Sequence, residues 1–165
     1  MDNNYPKYIV DFYKFEENCN EVQQAFDREW NANTIYGYSV KTNRNQELIK
    51  FAYNNAWYIE MVSPDEYEYC RNLGIEPDRM ILNGPCKEKL IEQEKLEVEY
   101  INLDNLDEVY VYCKSGVNSR VGLRINFDME QMCPGETTAG DEVSRFGFDS
   151  EGDELLQAVD ILKKH

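Results

Sequence analysis

Six polar residues sit at or near the ends of short apolar runs in this chain, where a parallel α/β protein gathers its reactive groups. They are Lys41, Glu60, Asn83, Asp104, Arg124 and Asn126. Together they offer one amine, two carboxylates, one guanidinium and two amides. An amine removed from water loses its proton more readily and can condense with a carbonyl. A guanidinium can hold an anionic oxygen through paired donors. Position alone leaves each of them open. Lys41 is either a surface lysine at a strand edge or a nucleophilic amine. Glu60, inside Trp57-Tyr58-Ile59-Glu60-Met61-Val62, either faces a site or faces solvent. Arg124 either neutralises a ligand or pairs with a neighbouring acid. The single histidine is His165, the last residue. Histidine-based triads and metal sites are therefore not expected in this chain.

The elements that must position these groups alternate. The runs YIVDF (8–12), IYGYSV (35–40), WYIEMV (57–62), RMILN (79–83), VEYINL (98–103) and RVGLRIN (120–126) are short, apolar and rich in β-branched or aromatic residues, as strands are. Between them lie stretches of helical spacing. The first places Cys19, Val22, Phe26 and Trp30 on one side, and the second Leu48, Ile49 and Ala52. The third opens at Ser63-Pro64-Asp65-Glu66, with Ser63 as cap, Pro64 in the first turn and Glu66 completing a capping box; Gly74 suits its left-handed end. A fourth is expected over about 87–95, a fifth from Asp104-Asn105 to Gly116, and a last from about Ser150 with Leu155, Leu156, Val159 and Leu162 on one face. Such alternation predicts a parallel sheet covered by helices, either doubly wound or part of a (β/α)8 barrel. No glycine-rich fingerprint follows the first run, which disfavours dinucleotide binding. The rhythm breaks at a polar, irregular stretch over 127–143, expected to be a functional or disordered loop.

Bulk properties narrow the classes. The 165 residues hold 17 Lys plus Arg against 32 Asp plus Glu, a formal charge of -15. That surface repels nucleic acid and anionic membranes alike. No run approaches the roughly 18 to 20 apolar residues of a membrane span. Met1-Asp2-Asn3-Asn4 lacks the basic and apolar regions of a signal peptide. The five cysteines are odd in number and show no C-x-x-C spacing, so a reducing cytoplasm is expected, and no metal site.

Several stretches in order resemble one family. GYSVKTNRNQELIKFA (37–52) is similar to the lysine segment of the alanine-racemase-fold decarboxylases that use pyridoxal phosphate, those acting on diaminopimelate, ornithine, arginine and carboxynorspermidine. IEMVSPDEYEYCRNLGIEPDRMILNGPCK (59–87) is similar to the segment that follows it there. INLDNLDEV (101–109), VGLRIN (121–126) and SRFGFD (144–149) fall in the family's order. The resemblance implies a partial TIM-type barrel of about five parallel strands, with pyridoxal phosphate as cofactor. It implies Lys41 as the Schiff-base lysine, Glu60 as the acidic residue near the cofactor, and Arg124 beside the cofactor's phenolic oxygen. Arg145 stands where the family's S-K-F-G motif has lysine, a region at the dimer interface of relatives. The run at 8–12 corresponds to a strand that in relatives joins the C-terminal β-domain.

The family's H-x-G-S motif, glycine-rich phosphate loop and C-terminal domain have no counterpart in these residues. A full barrel takes roughly 250 residues. The chain is therefore expected to be the N-terminal half of a decarboxylase for a basic or dicarboxylic amino acid, and to associate as a homodimer or with a missing C-terminal portion. Alternatives are a truncated, non-catalytic half-barrel that binds pyridoxal phosphate or a partner chain, and an amino-acid racemase of the same fold.

Overall fold

Ser63 sets the pattern for how local chemistry starts the helices. Its hydroxyl accepts the Glu66 backbone N–H at 3.2 Å, with Pro64 in the first turn, where a missing N–H costs nothing. Asn105 does the same for Glu108 N–H at 2.9 Å, and that helix ends on Gly116 at φ +72°. In the computed structural model, residues 9–30, 33–93, 96–127 and 146–165 are described. They form two units, divided between Tyr36 and Gly37.

The first unit is built on α1 (Phe12–Glu29), capped by the Asp11 carboxylate, which accepts Lys14 N–H at 3.0 Å. The run at 8–12 was expected as a strand. Its described residues are not one: Ile9 to Asp11 lie outside any regular element and Phe12 is already helical. A strand requires a partner for its N–H and C=O groups, and among the described residues none pairs here, so the Asp11 cap decides. Of the apolar side expected for this helix only Cys19 is buried; Val22 and Phe26 are exposed, and Trp30 lies past the last turn.

The second unit alternates strands and helices: β1 (Gly37–Ser39), α2 (Gln46–Asn54), β2 (Tyr58–Met61), α3 (Pro64–Asn72), β3 (Met80–Leu82), α4 (Glu88–Ile91), β4 (Tyr100–Leu103), α5 (Leu106–Ser115), β5 (Arg120–Leu123), β6 (Ile125–Asn126), β7 (Phe148–Asp149) and α6 (Asp153–Leu162). The first five strands form one sheet in sequential order, every pair parallel. The expected partial barrel of about five parallel strands is what the chain forms.

Side-chain alternation separates the two faces of this sheet. Ile59, Met61, Met80, Leu82, Ile101 and Leu103 are fully buried, as are Ile49, Ile91 and Val109 on helices. This is the core, and each such side chain contributes about 1.5 to 3 kcal/mol relative to exposure. The other face carries Ser39, Glu60, Ile81, Tyr100 and Asn102, all partly exposed; Ser39, Glu60 and Ile81 share one register across β1, β2 and β3. In a closed barrel that face is the interior.

Three expectations shift. RVGLRIN is not one strand: it breaks at Arg124, whose N–H donates to Leu103 O on β4 at 2.9 Å while its carbonyl accepts Phe148 N–H of β7 at 2.7 Å. Arg124 thus passes the strand from one neighbour to the next, and β6 pairs in parallel with β7. The fourth helix is four residues long. The last helix begins at Asp153 and buries Ala158, leaving Leu156 exposed. The loop expected at 127–143 and Arg145 lie, except for Phe127, outside the described residues.

Candidate functional site

A cleft of about 410 Å³ opens at the C-terminal ends of the strands of the second unit. It is lined by Lys41, Val62, Asn83, Gly84, Pro85, Asn102, Leu123, Arg124 and Phe146. This is where a β/α barrel presents its chemistry, because each strand end opens into a loop with free backbone and side-chain polar groups. Lys41 and Arg124, drawn from opposite edges of the sheet, meet in it. Among the described residues the lining holds two cations, two amides and no carboxylate, in a chain of net charge -15.

Lys41 is not in β1 but in the turn that follows it, and it is exposed. Of the two readings open in sequence, a surface lysine or a nucleophilic amine at the strand end, its exposure excludes neither, and the turn projects it beyond the sheet. The turn is firmly built. Val40 N–H donates to Glu60 O at 3.0 Å, and Ser39 O accepts from both the backbone N–H and the hydroxyl of Thr42, at 3.2 and 2.7 Å. The Tyr38 hydroxyl donates to Asn43 O at 2.9 Å and the Tyr69 hydroxyl to Arg44 O at 3.0 Å. These bonds fix the lysine at its root.

Arg124 is held at both ends. Its Nη1 lies 3.1 Å from Asp104 Oδ1, and its guanidinium stacks over the Phe146 ring at 4.7 Å from the centroid. Asp104, only 6 % exposed, also accepts Gly147 N–H at 3.1 Å through Oδ2. Gly147 has φ +84°, and a Cβ there would stand 2.7 Å from Arg124 O, so glycine is required by both conformation and space. Gly122 allows Asn102 to lie over it: a Cβ would overlap Asn102 Oδ1.

Of the residues singled out in sequence, Lys41, Asn83 and Arg124 line the cleft, and Asp104 reaches it through Arg124. Glu60 lies on the uncovered face of β2 and Asn126 on β6; neither is in the lining. Ser63 and Glu66 act as caps, with one change. Glu66 Oε2 accepts Val62 N–H at 2.9 Å, one residue before the cap itself. The structure adds Asn102 and Phe146 to the site.

It also reveals a buried ion pair behind the site. Lys87 and Glu108 are 1 % and 0 % exposed, with Nζ and Oε2 2.6 Å apart. Lys87 Nζ also donates to Gly84 O, Lys87 N–H reaches Glu108 Oε1 at 3.0 Å, and Asp104 N–H reaches Oε2 at 2.8 Å. Two charges placed in a loop and a first helical turn carry no local sign of burial in the sequence. Burial pushes the Cys70 thiol up to about 12, with the nearby Glu66 carboxylate adding to the rise. That cysteine behaves as an apolar core residue. Among the described residues no helix is long and apolar enough to cross a membrane.

Comparison with known proteins places this arrangement. Residues 13–165 match the family described as pyridoxal-dependent decarboxylase, pyridoxal binding domain. The chain is 31% identical over 141 residues to the chloroplastic ornithine decarboxylase of Nicotiana glauca, covering 81% of this chain and 31% of that protein. It is 25% identical over 150 residues to the diaminopimelate decarboxylase of Aquifex aeolicus, covering 87% and 34%. Among solved structures, the diaminopimelate decarboxylase of M. jannaschii superposes with a TM-score of 0.81 at 21% identity, over 98% of this chain and 39% of that one. The arginine decarboxylase of Campylobacter jejuni gives 0.63 at 18%, over 92% and 25%. These superpositions establish the fold; the chain spans about a third of the length of the curated relatives it matches. A parallel β/α sheet with a lysine and an arginine converging at its strand ends, matched along nearly its whole length, makes this chain a member of the pyridoxal-dependent decarboxylase family, within that family's pyridoxal-binding domain.

Proposed function

We propose that this chain binds pyridoxal phosphate in the strand-end cleft and forms the cofactor-binding half of an enzyme that decarboxylates a basic or dicarboxylic amino acid of the ornithine or diaminopimelate type. The observation that carries the reading is that Lys41 and Arg124 line one cleft at the strand ends, with no carboxylate among its described lining residues. The donor set fits the cofactor. An amine on a rigid turn can condense with its aldehyde, and a guanidinium suits an anionic oxygen. When bound, pyridoxal phosphate supplies the electron sink that lets carbon dioxide leave.

The chain's own residues have separable tasks in this reading. Lys41 Nζ would be the point at which the cofactor is attached. Arg124, fixed by Asp104 and Phe146, would hold an anionic oxygen of the cofactor, the phenolic oxygen in the family resemblance. Asn83, just past β3, and Asn102, on β4, would supply neutral polar contacts. Glu60, on the same face of the sheet but outside the cleft's lining, would be the acidic residue near the cofactor. Among the described residues the sheet is open, with β1 at one edge. Unpaired strand edges and an uncovered face favour association. We therefore include a second copy, or a further portion that closes the sheet, as the partner. Four described cysteines, all unpaired, support a reducing cytoplasmic setting.

The test is chemical. The chain is incubated with pyridoxal phosphate, reduced with borohydride, digested and mapped by mass spectrometry. A pyridoxyl group on the Lys41 peptide is expected, and its loss in Lys41→Ala without loss of fold. Labelling spread evenly over surface lysines would refute the assignment. Carbon dioxide release from ornithine, diaminopimelate and arginine by the 165-residue chain then separates the catalytic reading from a non-catalytic half-barrel. Light-scattering after size exclusion reports association, and a monodisperse monomer would remove that part of the proposal.

A further inference from the structure

The buried Lys87–Glu108 pair lies outside the described lining of the cleft, yet its hydrogen bonds lead into it. Glu108 Oε2, bonded to Lys87 Nζ, takes the Asp104 N–H at 2.8 Å. Asp104 uses both carboxylate oxygens, one on Arg124 Nη1 and one on Gly147 N–H, each at 3.1 Å. The Arg124 main chain is tied to β4 and β7 on either side. A continuous chain of hydrogen bonds therefore runs from a fully buried charge pair to the cation at the mouth of the site. An arginine has several soft torsions, and ordering them at the moment of binding weakens a ligand. A guanidinium carries five N–H donors, so the contact with Asp104 leaves others for a ligand.

We propose that Asp104, itself held by Glu108, is a positioning residue that fixes the Arg124 guanidinium in the cleft before any ligand arrives. The proposal rests on the reading of the cleft as a pyridoxal phosphate site only for its second measurement. The first is made on the cofactor-free chain. The Arg124 Nε–H signal, assigned by its loss in Arg124→Gln, is followed by proton–nitrogen NMR. It is dispersed in the unsubstituted chain and moves to the position of a free arginine in Asp104→Asn. Far-UV circular dichroism establishes that each variant is folded. If Asp104→Asn does not fold, Asp104→Glu, which keeps the charge but displaces it, gives the same shift of the signal. An Arg124 signal unmoved in the folded variant overturns the proposal.

The second measurement is the dissociation constant of pyridoxal phosphate in a double-mutant cycle. Asp104→Asn weakens binding about ten- to hundredfold, the worth of a charge-assisted hydrogen bond. In an Arg124→Gln background the same change has little further effect, because Asp104 acts through Arg124. Equal losses in both backgrounds indicate a merely structural role and overturn the proposal. If the unsubstituted chain takes up no cofactor, the functional reading fails and the NMR result alone decides this one.

Discussion

Breaking the Lys87–Glu108 pair from its two sides is expected to cost unequal amounts. Glu108 receives three donors: Lys87 Nζ, Lys87 N–H and Asp104 N–H. Lys87 Nζ has two acceptors, Glu108 Oε2 and Gly84 O. Lys87→Met keeps the volume and leaves a carboxylate that still accepts two backbone N–H groups, so the loss falls to about 2 to 3 kcal/mol, below the usual cost of an orphaned buried charge. Glu108→Leu leaves a buried ammonium on one carbonyl and strands two backbone donors besides. That amounts to about 5 kcal/mol or more, from the 3 to 5 of a broken buried pair plus about 1 to 3 for each orphaned donor. Against a total stability of about 5 to 15 kcal/mol, the second change approaches global unfolding. The double variant carries no orphaned charge and is expected to be no worse than Glu108→Leu alone. The assay is urea unfolding followed by circular dichroism at one protein concentration, with the slope checked for constancy. Equal losses from the two single changes, a larger loss from Lys87→Met, or losses under about 1 kcal/mol from both would refute this account of how the pair is satisfied.

Three further outcomes follow from local geometry. Gly147→Ala meets both a left-handed backbone and Arg124 O, whereas Gly116→Ala meets only the backbone, with nothing within 4 Å of its Cβ. Thermal unfolding should therefore show about 1 kcal/mol lost at Gly116 and clearly more at Gly147, and equal losses would contradict the close approach. Asn105→Ala removes the acceptor for Glu108 N–H and should cost about 1 kcal/mol, unlike the same change at exposed Asn54 outside any cap. Cys70, with its thiol raised by burial to about 12, stays protonated when folded but ionises near its ordinary 9.0 when unfolded. Its contribution to stability is thus complete below the unfolded value and lost as pH rises from there toward the folded one. A Cys70→Val chain should lose less stability over that alkaline window, and thiol labelling at neutral pH should mark exposed Cys86 and spare Cys70 until urea is added.

The sequence by itself determined the alternation of strands and helices, the caps at Ser63 and Asn105, and the ancestry of the lysine segment. These are local matters: side-chain period, hydrogen-bonding side chains at helix starts, and a left-handed glycine each act within a few residues. Strand-end position left six polar residues open and the family resemblance singled out Lys41, Glu60 and Arg124, of which Lys41 and Arg124 line one cleft. Only the tertiary structure decided the rest. The run at 8–12 had strand composition, but composition makes no strand without a partner, and Asp11 caps a helix instead. RVGLRIN looked continuous, yet Arg124 divides its backbone hydrogen bonds between β4 and β7. Lys87 and Glu108 stand 21 positions apart and each reads as solvated alone. Their burial exists only because the fold brings a loop and a first helical turn together behind the site. Charge burial depends on what covers a residue, and what covers it comes from far along the chain.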